Sequence, residues 1–105
     1  MAIIIKKDPQ TNCIVCHIEG EININSTPQV KKALAKLITK KTQAITIDFS
    51  KITYIDSSGL AMLIEVFKET RLYGGSLQLA NLSPRIKNIF EIKKLDKLFT
   101  IVEQN

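Results

Sequence analysis

The stretch AITIDFSKITYIDSSGL, residues 44–60, runs from a strand-like apolar segment to the start of a helix. Its β-branched and apolar residues predict a central strand over Ala44–Phe49 and a second apolar piece over Ile52–Ile55. Residues 56–59, with the sequence DSSG, then form a loop before the helical pattern begins. The stretch therefore predicts a strand–loop–helix unit, the repeating element of α/β folds.

The helix after this loop is predicted from Ser58 to about Tyr73 because apolar residues recur three and four positions apart. Gly74-Gly75 follows and supplies the left-handed turn that commonly ends helices. The predicted apolar stripe consists of Leu60, Leu63, Ile64 and Phe67.

Two β-branched runs near the start of the chain, Ile3–Lys7 and Asn12–Ile18, flank the turn residues Asp8–Thr11 and predict a hairpin. A first helix is predicted after Ser26, which forms a capping box with Gln29. Its apolar stripe consists of Val30, Ala33, Leu34, Leu37 and Ile38.

The last third of the chain predicts a strand over Ser76–Ala80, a short helix opened by Ser83 and Pro84, and a final strand over Leu98–Val102. The element order ββαβαβαβ implies right-handed crossovers between parallel strands. We therefore predict an α/β fold with a mixed β-sheet packed against about three helices, in a single domain over residues 1–105.

Composition fits one compact domain, since 105 residues with 45% hydrophobic side chains can bury a core without staples. Charges interrupt every long apolar stretch, and the start lacks the features of an export signal. We expect a cytoplasmic protein without membrane association.

Cys13 and Cys16 have the C-x-x-C spacing of redox and zinc sites. In a strand, positions three apart face opposite sides about 10 Å apart, which is too far for a disulfide. No second pair completes a zinc site. We therefore expect structural cysteines, no metal and no cofactor.

The net charge of +5 is compatible with nucleic acid, an anionic surface or an acidic protein partner. Only Arg71 and Arg85 are arginine, and the aromatic residues do not interleave with basic clusters, which argues against direct nucleic-acid binding. Lys32, Lys36 and Lys40 form a basic row that is either a solvated face or a docking row for an acidic partner.

The DSSG loop carries the most distinctive chemistry. Asp56, Ser57 and Ser58 precede a helix N-terminus, where unpaired N–H groups and the helix dipole favour a phosphate. Helix capping alone explains one of these residues, but not two serines followed by Gly59, whose helix propensity is poor. From these residues alone, helix capping and a phosphate switch are equally well supported.

Enzymatic function is not expected, because phosphate-binding glycine motifs and G-x-S-x-G are absent. A triad of Ser57, His17 and an aspartate would depend on the single histidine, which lies in the predicted hairpin.

The sequence Ile55–Leu60 resembles the anti-sigma factor antagonist branch of the STAS domains. The resemblance extends along most of the chain. Gly20–Asn23 is similar to the family's G-E-L-D, Gly74-Gly75 to its G-G, and Ser83–Ile86 with Phe90 to its S-P-x-[VI] and later Phe. Asn23 stands where the family usually has Asp.

This resemblance implies a phosphoswitch without catalysis of its own. An anti-sigma factor serine kinase phosphorylates Ser57, unphosphorylated antagonist binds that kinase, and a PP2C-type phosphatase resets the switch. Asp56, Ser58 and Gly59 support the switch. We expect Asn23, Met62 and Val66 at the partner surface, the last two because they lie off the predicted core stripe.

Two alternatives remain open from the sequence. One is a constitutive structural STAS subunit of a signalling or lipid-transport complex, and the other is a nucleotide-binding enzyme. The oligomeric state is also undetermined by these residues.

Overall fold

The computed structural model describes residues 1–103 and contains strands and helices in the predicted order. The strands are β1 (Ala2–Lys7), β2 (Ile14–Ile22), β3 (Ala44–Ile55), β4 (Ser76–Ala80) and β5 (Thr100–Val102). The helices are α1 (Thr27–Thr39), α2 (Ser57–Leu72) and α3 (Pro84–Ile92). The prediction of a mixed α/β fold is confirmed.

The five strands form one sheet in the order β1-β2-β3-β4-β5. β1 is antiparallel to β2, and all other neighbours are parallel. Because each parallel crossover advances one strand in the same direction, right-handed connections place all three helices on one face. Ring contacts agree with this placement: Phe90 on α3 packs edge-on against both Phe49 on β3 and Phe99, and Phe99 against Phe67 on α2.

The core lies between the sheet and this helical layer. Alternate residues of β3, namely Ile45, Ile47 and Phe49, are buried on that face. The predicted stripe of α1 contributes Val30, Leu34 and Leu37. Side chains on the opposite face of the sheet are mainly polar, and no helix within residues 1–103 covers them.

Several predicted boundaries differ from the structure. The two apolar pieces before the loop are one strand, since β3 continues through Ser50 and Lys51 by means of irregular pairing with β2 after His17. β2 itself runs on to Ile22, and β5 begins only at Thr100. The predicted end of α2 is close, because α2 ends at Leu72 before a left-handed turn at φ +82° in the first glycine of the pair.

The predicted capping box at the start of α1 is wrong. Ser26 occupies the cap position, but its side chain bonds no N–H group of the helix. Its hydroxyl donates to the carbonyl of Glu21 at 2.7 Å and accepts from the N–H of Asn23 at 2.9 Å. The Asn23 side-chain oxygen instead accepts from the N–H groups of Asn25 and Ser26, so it closes the turn before α1.

The cysteines are both free, as predicted, and Cys16 is fully buried. Burial raises the pKa of the Cys16 thiol to about 11, which makes it unreactive at neutral pH. Cys13 is half-buried, with its Sγ 3.1 Å from the Thr46 hydroxyl. Among residues 1–103 the structure has no group of three side chains arranged to hold a metal ion.

None of the helices within residues 1–103 is long and apolar enough to span a lipid bilayer.

Candidate functional site at the start of helix α2

The DSSG loop lies at the carboxyl end of the sheet, where only Asp56 separates β3 from α2 and the other three residues form the first turn of the helix. Ile55 at the end of β3 pairs with Ile22 at the end of β2, so the loops that follow the two strands are neighbours. Asp56 is the N-cap of α2 and has an extended backbone, and Ser57 is the first helical residue. Ligands and partners usually meet parallel sheets at this edge.

Asp56 ties the two neighbouring loops together. Its Oδ1 accepts hydrogen bonds from the Ser58 hydroxyl at 2.5 Å and from the Gly59 N–H at 3.0 Å. Its Oδ2 accepts from the N–H of Ile24, in the loop between β2 and α1, at 3.1 Å. The hydrogen bond from the Ser58 hydroxyl is the largest cause that holds the pKa of Asp56 below its usual range. The bonds from the N–H groups of Gly59 and Ile24 lower the pKa further, whereas burial opposes them. The carboxylate is therefore ionised at neutral pH.

The two adjacent serines have different environments. Ser58 is half-buried, and its hydroxyl donates to Asp56 and lies 3.5 Å from the Thr27 hydroxyl. Ser57 is exposed, and its hydroxyl bonds to no residue within 1–103. Ser57 therefore presents the free hydroxyl of the loop, whereas Ser58 helps to build it.

Gly59 is required by close packing. A Cβ on Gly59 would lie 2.7 Å from Cγ1 of Ile55 and 2.8 Å from Cγ2 of Ile22, and both isoleucines are fully buried. The glycine thus lets the first turn of α2 approach the ends of β2 and β3. The clearance that its poor helix propensity suggested is present in the structure.

Asn23 is half-buried beside this site, with its side-chain oxygen engaged in the turn before α1. An aspartate could accept the same two hydrogen bonds, so the substitution removes a charge without removing the acceptor. A contact between Asn23 and a partner remains a prediction.

The expectation that Met62 and Val66 form an apolar partner surface is wrong. Their side chains are only 3% and 1% exposed. α2 packs against α1 as well as against the sheet, so its buried face is wider than one stripe. This face lies one position earlier in the sequence than predicted, because Met62 and Val66 are buried whereas Ile64 and Phe67 are only half-buried. The buried residues of α2 are Gly59, Leu60, Met62, Leu63, Val66 and Thr70.

The exposed apolar residues near Ser57 come from other elements. A groove, which we call the switch groove, separates the start of α2 from the end of α3 and has the end of β3 as its floor. Tyr54 and Ile92 line it and are 38% and 68% exposed, while Ile24, 72% exposed, lies in the neighbouring loop. The only indication in the sequence that Ile92 is exposed is its position outside the apolar stripe of Ile86 and Phe90.

His17 lies outside this site. Its Nδ1 is 2.7 Å from Oδ2 of Asp48, and the two residues pair across β2 and β3. Strand geometry puts His17 about 17 Å along β2 from Ile22, the strand end nearest the DSSG loop. The structure therefore does not bring His17 and Ser57 together as a catalytic pair.

Comparisons with known proteins agree with this geometry. Residues 4–104 match the model of the STAS domain. The anti-sigma-B factor antagonist of Listeria monocytogenes is 34% identical over 95 residues, which cover 90% of this chain and 83% of the relative. The anti-sigma-B factor antagonist of Bacillus subtilis is 34% identical over 90 residues, which cover 86% and 82%.

Solved structures share the fold. The Thermotoga maritima protein TM1081 superposes with a TM-score of 0.88 at 19% identity, covering 97% of this chain and 86% of that one. The Bacillus cell fate determinant SpoIIAA in its phosphorylated form gives a TM-score of 0.75 at 19% identity, covering 99% and 92%.

The chain therefore belongs to the STAS domain family. Its relatives place it in the anti-sigma factor antagonist branch of that family, whose members are regulatory proteins rather than enzymes.

Proposed function

We propose that this chain is an anti-sigma factor antagonist that works as a phosphoswitch at Ser57. In its unphosphorylated form it binds an anti-sigma factor serine kinase, and phosphorylation of Ser57 by that kinase releases it. A PP2C-type phosphatase removes the phosphate and resets the switch. Because this cycle consumes ATP inside the cell, the proposal places the protein in the cytoplasm.

One observation carries the proposal, which is the contrast between the two serines of the loop. Ser57 is exposed and has an unbonded hydroxyl, whereas the Ser58 hydroxyl is held by Asp56. A kinase needs an accessible hydroxyl, so Ser57 is the acceptor that the loop offers. A structural relative, SpoIIAA, is known in both unphosphorylated and phosphorylated forms.

Electrostatics explains how a phosphate would release the partner without unfolding the antagonist. The modification adds about 1.5 to 2 negative charges next to the ionised Asp56. The N-terminal dipole of α2 favours negative charge at this position, so the helix tolerates the phosphate. A partner docked on the loop would face more than twice the negative charge and a desolvation cost. Binding is therefore lost while the fold persists.

The test uses the purified chain, the purified serine kinases of its own organism and ATP, with mass spectrometry of the peptide that contains both serines. Wild type is compared with Ser57→Ala and Ser57→Asp. Gln29→Glu, which adds a negative charge at the exposed start of α1, is the matched control. We expect phosphate on Ser57 in the wild type, and binding about 100-fold weaker for Ser57→Asp but unchanged for Ser57→Ala and the control.

Phosphate on Ser58 alone, or full binding by Ser57→Asp, would contradict the proposal. Stable binding without phosphate on either serine would instead identify a constitutive structural subunit. Saturable ATP binding or turnover by the isolated chain would identify an enzyme.

A further inference from the structure

The switch groove places an apolar surface directly beside Ser57. Leu60 and Ile89 line its walls, and Ile92 stands at its rim on the last residue of α3. Ile92 is 68% exposed and Tyr54 38% exposed, so both present apolar surface to solvent. Exposed apolar side chains that gather around one functional residue indicate an interaction surface, whereas single ones do not.

The wall of the groove formed by α3 and the residues after it is strongly basic. Residues 84–97 contain five basic and two acidic residues, so this segment has a net charge of +3 within a chain of net charge +5. Lys93 lines the groove, and the Arg85 guanidinium stacks over the Tyr54 ring at 5.7 Å. No carboxylate within residues 1–103 forms an ion pair with Lys93 or Arg85. The positive charge at this wall is therefore available to a partner.

We propose that the switch groove receives a segment of the partner kinase that carries an apolar side chain next to a carboxylate. The apolar side chain packs between Tyr54 and Ile92, and the carboxylate pairs with Lys93. This inference rests on the proposed function and adds the chemistry of the partner surface. It also replaces Met62 and Val66, which are buried, as the source of the apolar contact.

An acidic partner segment gives the phosphate a specific effect. Ser57 and Lys93 line the same groove, so a phosphate on Ser57 would stand on the wall opposite Lys93. There it would repel the carboxylate of the partner and offer Lys93 a competing negative charge. A basic partner segment would instead be attracted by the phosphate, which is opposite to the release that the switch requires.

The experiment measures the affinity of the kinase that binds the wild-type chain, over a range of salt concentrations. Ile92→Ala and Lys93→Gln are the test variants. Leu72→Ala and Lys7→Gln are matched controls, since Leu72 is an exposed apolar residue at the end of α2 and Lys7 an exposed lysine of β1, paired with the start of β2 and so far from the DSSG loop. We expect about tenfold weaker binding for Ile92→Ala and Lys93→Gln. The controls should stay within about twofold, as expected outside a hot spot.

The salt dependence of binding separates the apolar contribution of Ile92 from the electrostatic contribution of Lys93. Binding of Lys93→Gln should depend less on salt concentration than binding of wild type, whereas Ile92→Ala should keep the wild-type dependence. All four substituted side chains are exposed, so thermal unfolding should remain unchanged and would reveal any variant that is misfolded.

The outcomes distinguish this inference from the proposed function. If Ser57→Asp loses the kinase while Ile92→Ala and Lys93→Gln bind like their controls, the groove is not the docking site and the phosphoswitch stands. If the two groove variants weaken binding but Ser57→Asp does not, the groove docks the partner and the phosphoswitch falls. If no serine kinase binds the wild type, both proposals fall.

Discussion

Helices α1 and α2 begin in similar places but use their hydroxyl groups differently. Both follow the carboxyl ends of neighbouring parallel strands, in turns that contain two consecutive hydroxyl residues. At α1 both hydroxyls point inward, since Ser26 donates to the Glu21 carbonyl and Thr27 to the Asn23 carbonyl at 2.6 Å. At α2 the Ser58 hydroxyl donates to the side-chain carboxylate of Asp56, and the Ser57 hydroxyl makes no hydrogen bond within residues 1–103.

This difference separates residues that build the edge of the sheet from residues that remain free to act. A hydroxyl that donates to a backbone carbonyl or to a capping carboxylate cannot accept a phosphate without losing a hydrogen bond of the local structure. A hydroxyl without such a bond contributes little to stability, and its presence calls for another explanation. The start of α1 is therefore a structural turn. The start of α2 combines a structural turn with one hydroxyl, that of Ser57, which makes no hydrogen bond within residues 1–103.

The largest expected effect concerns how closely each helix start approaches the sheet. Gly59→Ala should lower the free energy of unfolding by about 1–2 kcal/mol, because its Cβ meets two buried isoleucines, and improved helix propensity offsets only part of that strain. Gln29 has the equivalent position in α1, three residues after the cap, and is exposed. Gln29→Ala should change stability by less than about 0.5 kcal/mol.

Denaturant unfolding of both variants gives the measurement. Equal stability of the two variants would mean that the first turn of α2 can move away from the sheet at little cost. The close approach of Gly59 to β2 and β3 would then not explain why a glycine is present.

A smaller effect compares the two serines directly. Ser26→Ala should lower the free energy of unfolding by about 1 kcal/mol, since it leaves the Asn23 N–H and the Glu21 carbonyl without their partner. Ser57→Ala removes no hydrogen bond within residues 1–103 and should be neutral within about 0.5 kcal/mol. A loss of stability in Ser57→Ala as large as that in Ser26→Ala would show that Ser57 is structural, which would weaken the case for a switch.

The DSSG loop was predictable because its information is local. Strand pattern, cap residue and helix pattern adjoin in sequence, so the position of Asp56 follows from neighbouring residues. The poor helix propensity of Gly59 indicated a need for clearance, but Ile22, one of the two isoleucines that it approaches, belongs to the distant strand β2. The same local reasoning failed at Ser26, where a capping box was expected. Asn23, three residues earlier, offers an oxygen that closes the turn first, and the Ser26 hydroxyl is drawn to the strand end.

The partner surface was not predictable because exposure depends on distant elements. The helical pattern of α2 identifies its apolar residues but not how many elements pack against it. In the structure α2 packs against α1 as well as the sheet, and Met62 and Val66 are buried. The switch groove depends on where α3 ends relative to α2, which no spacing within either helix encodes. Ile92 thus becomes a candidate contact only when the two helices are seen together.

The smallest expected effect is a pH dependence confined to the start of α2. The Ser58 hydroxyl and the N–H groups of Gly59 and Ile24 hold the pKa of Asp56 below its usual range. The unfolded chain therefore binds the proton more readily than the folded one, and the stabilisation by the carboxylate is lost as the pH falls through the folded pKa. The stability difference between wild type and Asp56→Asn, measured by urea unfolding, should be constant from about pH 7 to 5 and narrow below about pH 4.

The start of α1 supplies the control for this titration, because the side-chain oxygen that closes the turn before it belongs to the neutral amide of Asn23. The stability difference between wild type and Ser26→Ala should therefore not narrow between about pH 5 and pH 3. If both differences narrowed together, the pH dependence would belong to the whole sheet edge rather than to Asp56. If neither narrowed, Asp56 would have the same pKa in the folded and unfolded chains. Its bonds to Ser58, Gly59 and Ile24 would then favour the carboxylate no more than water does.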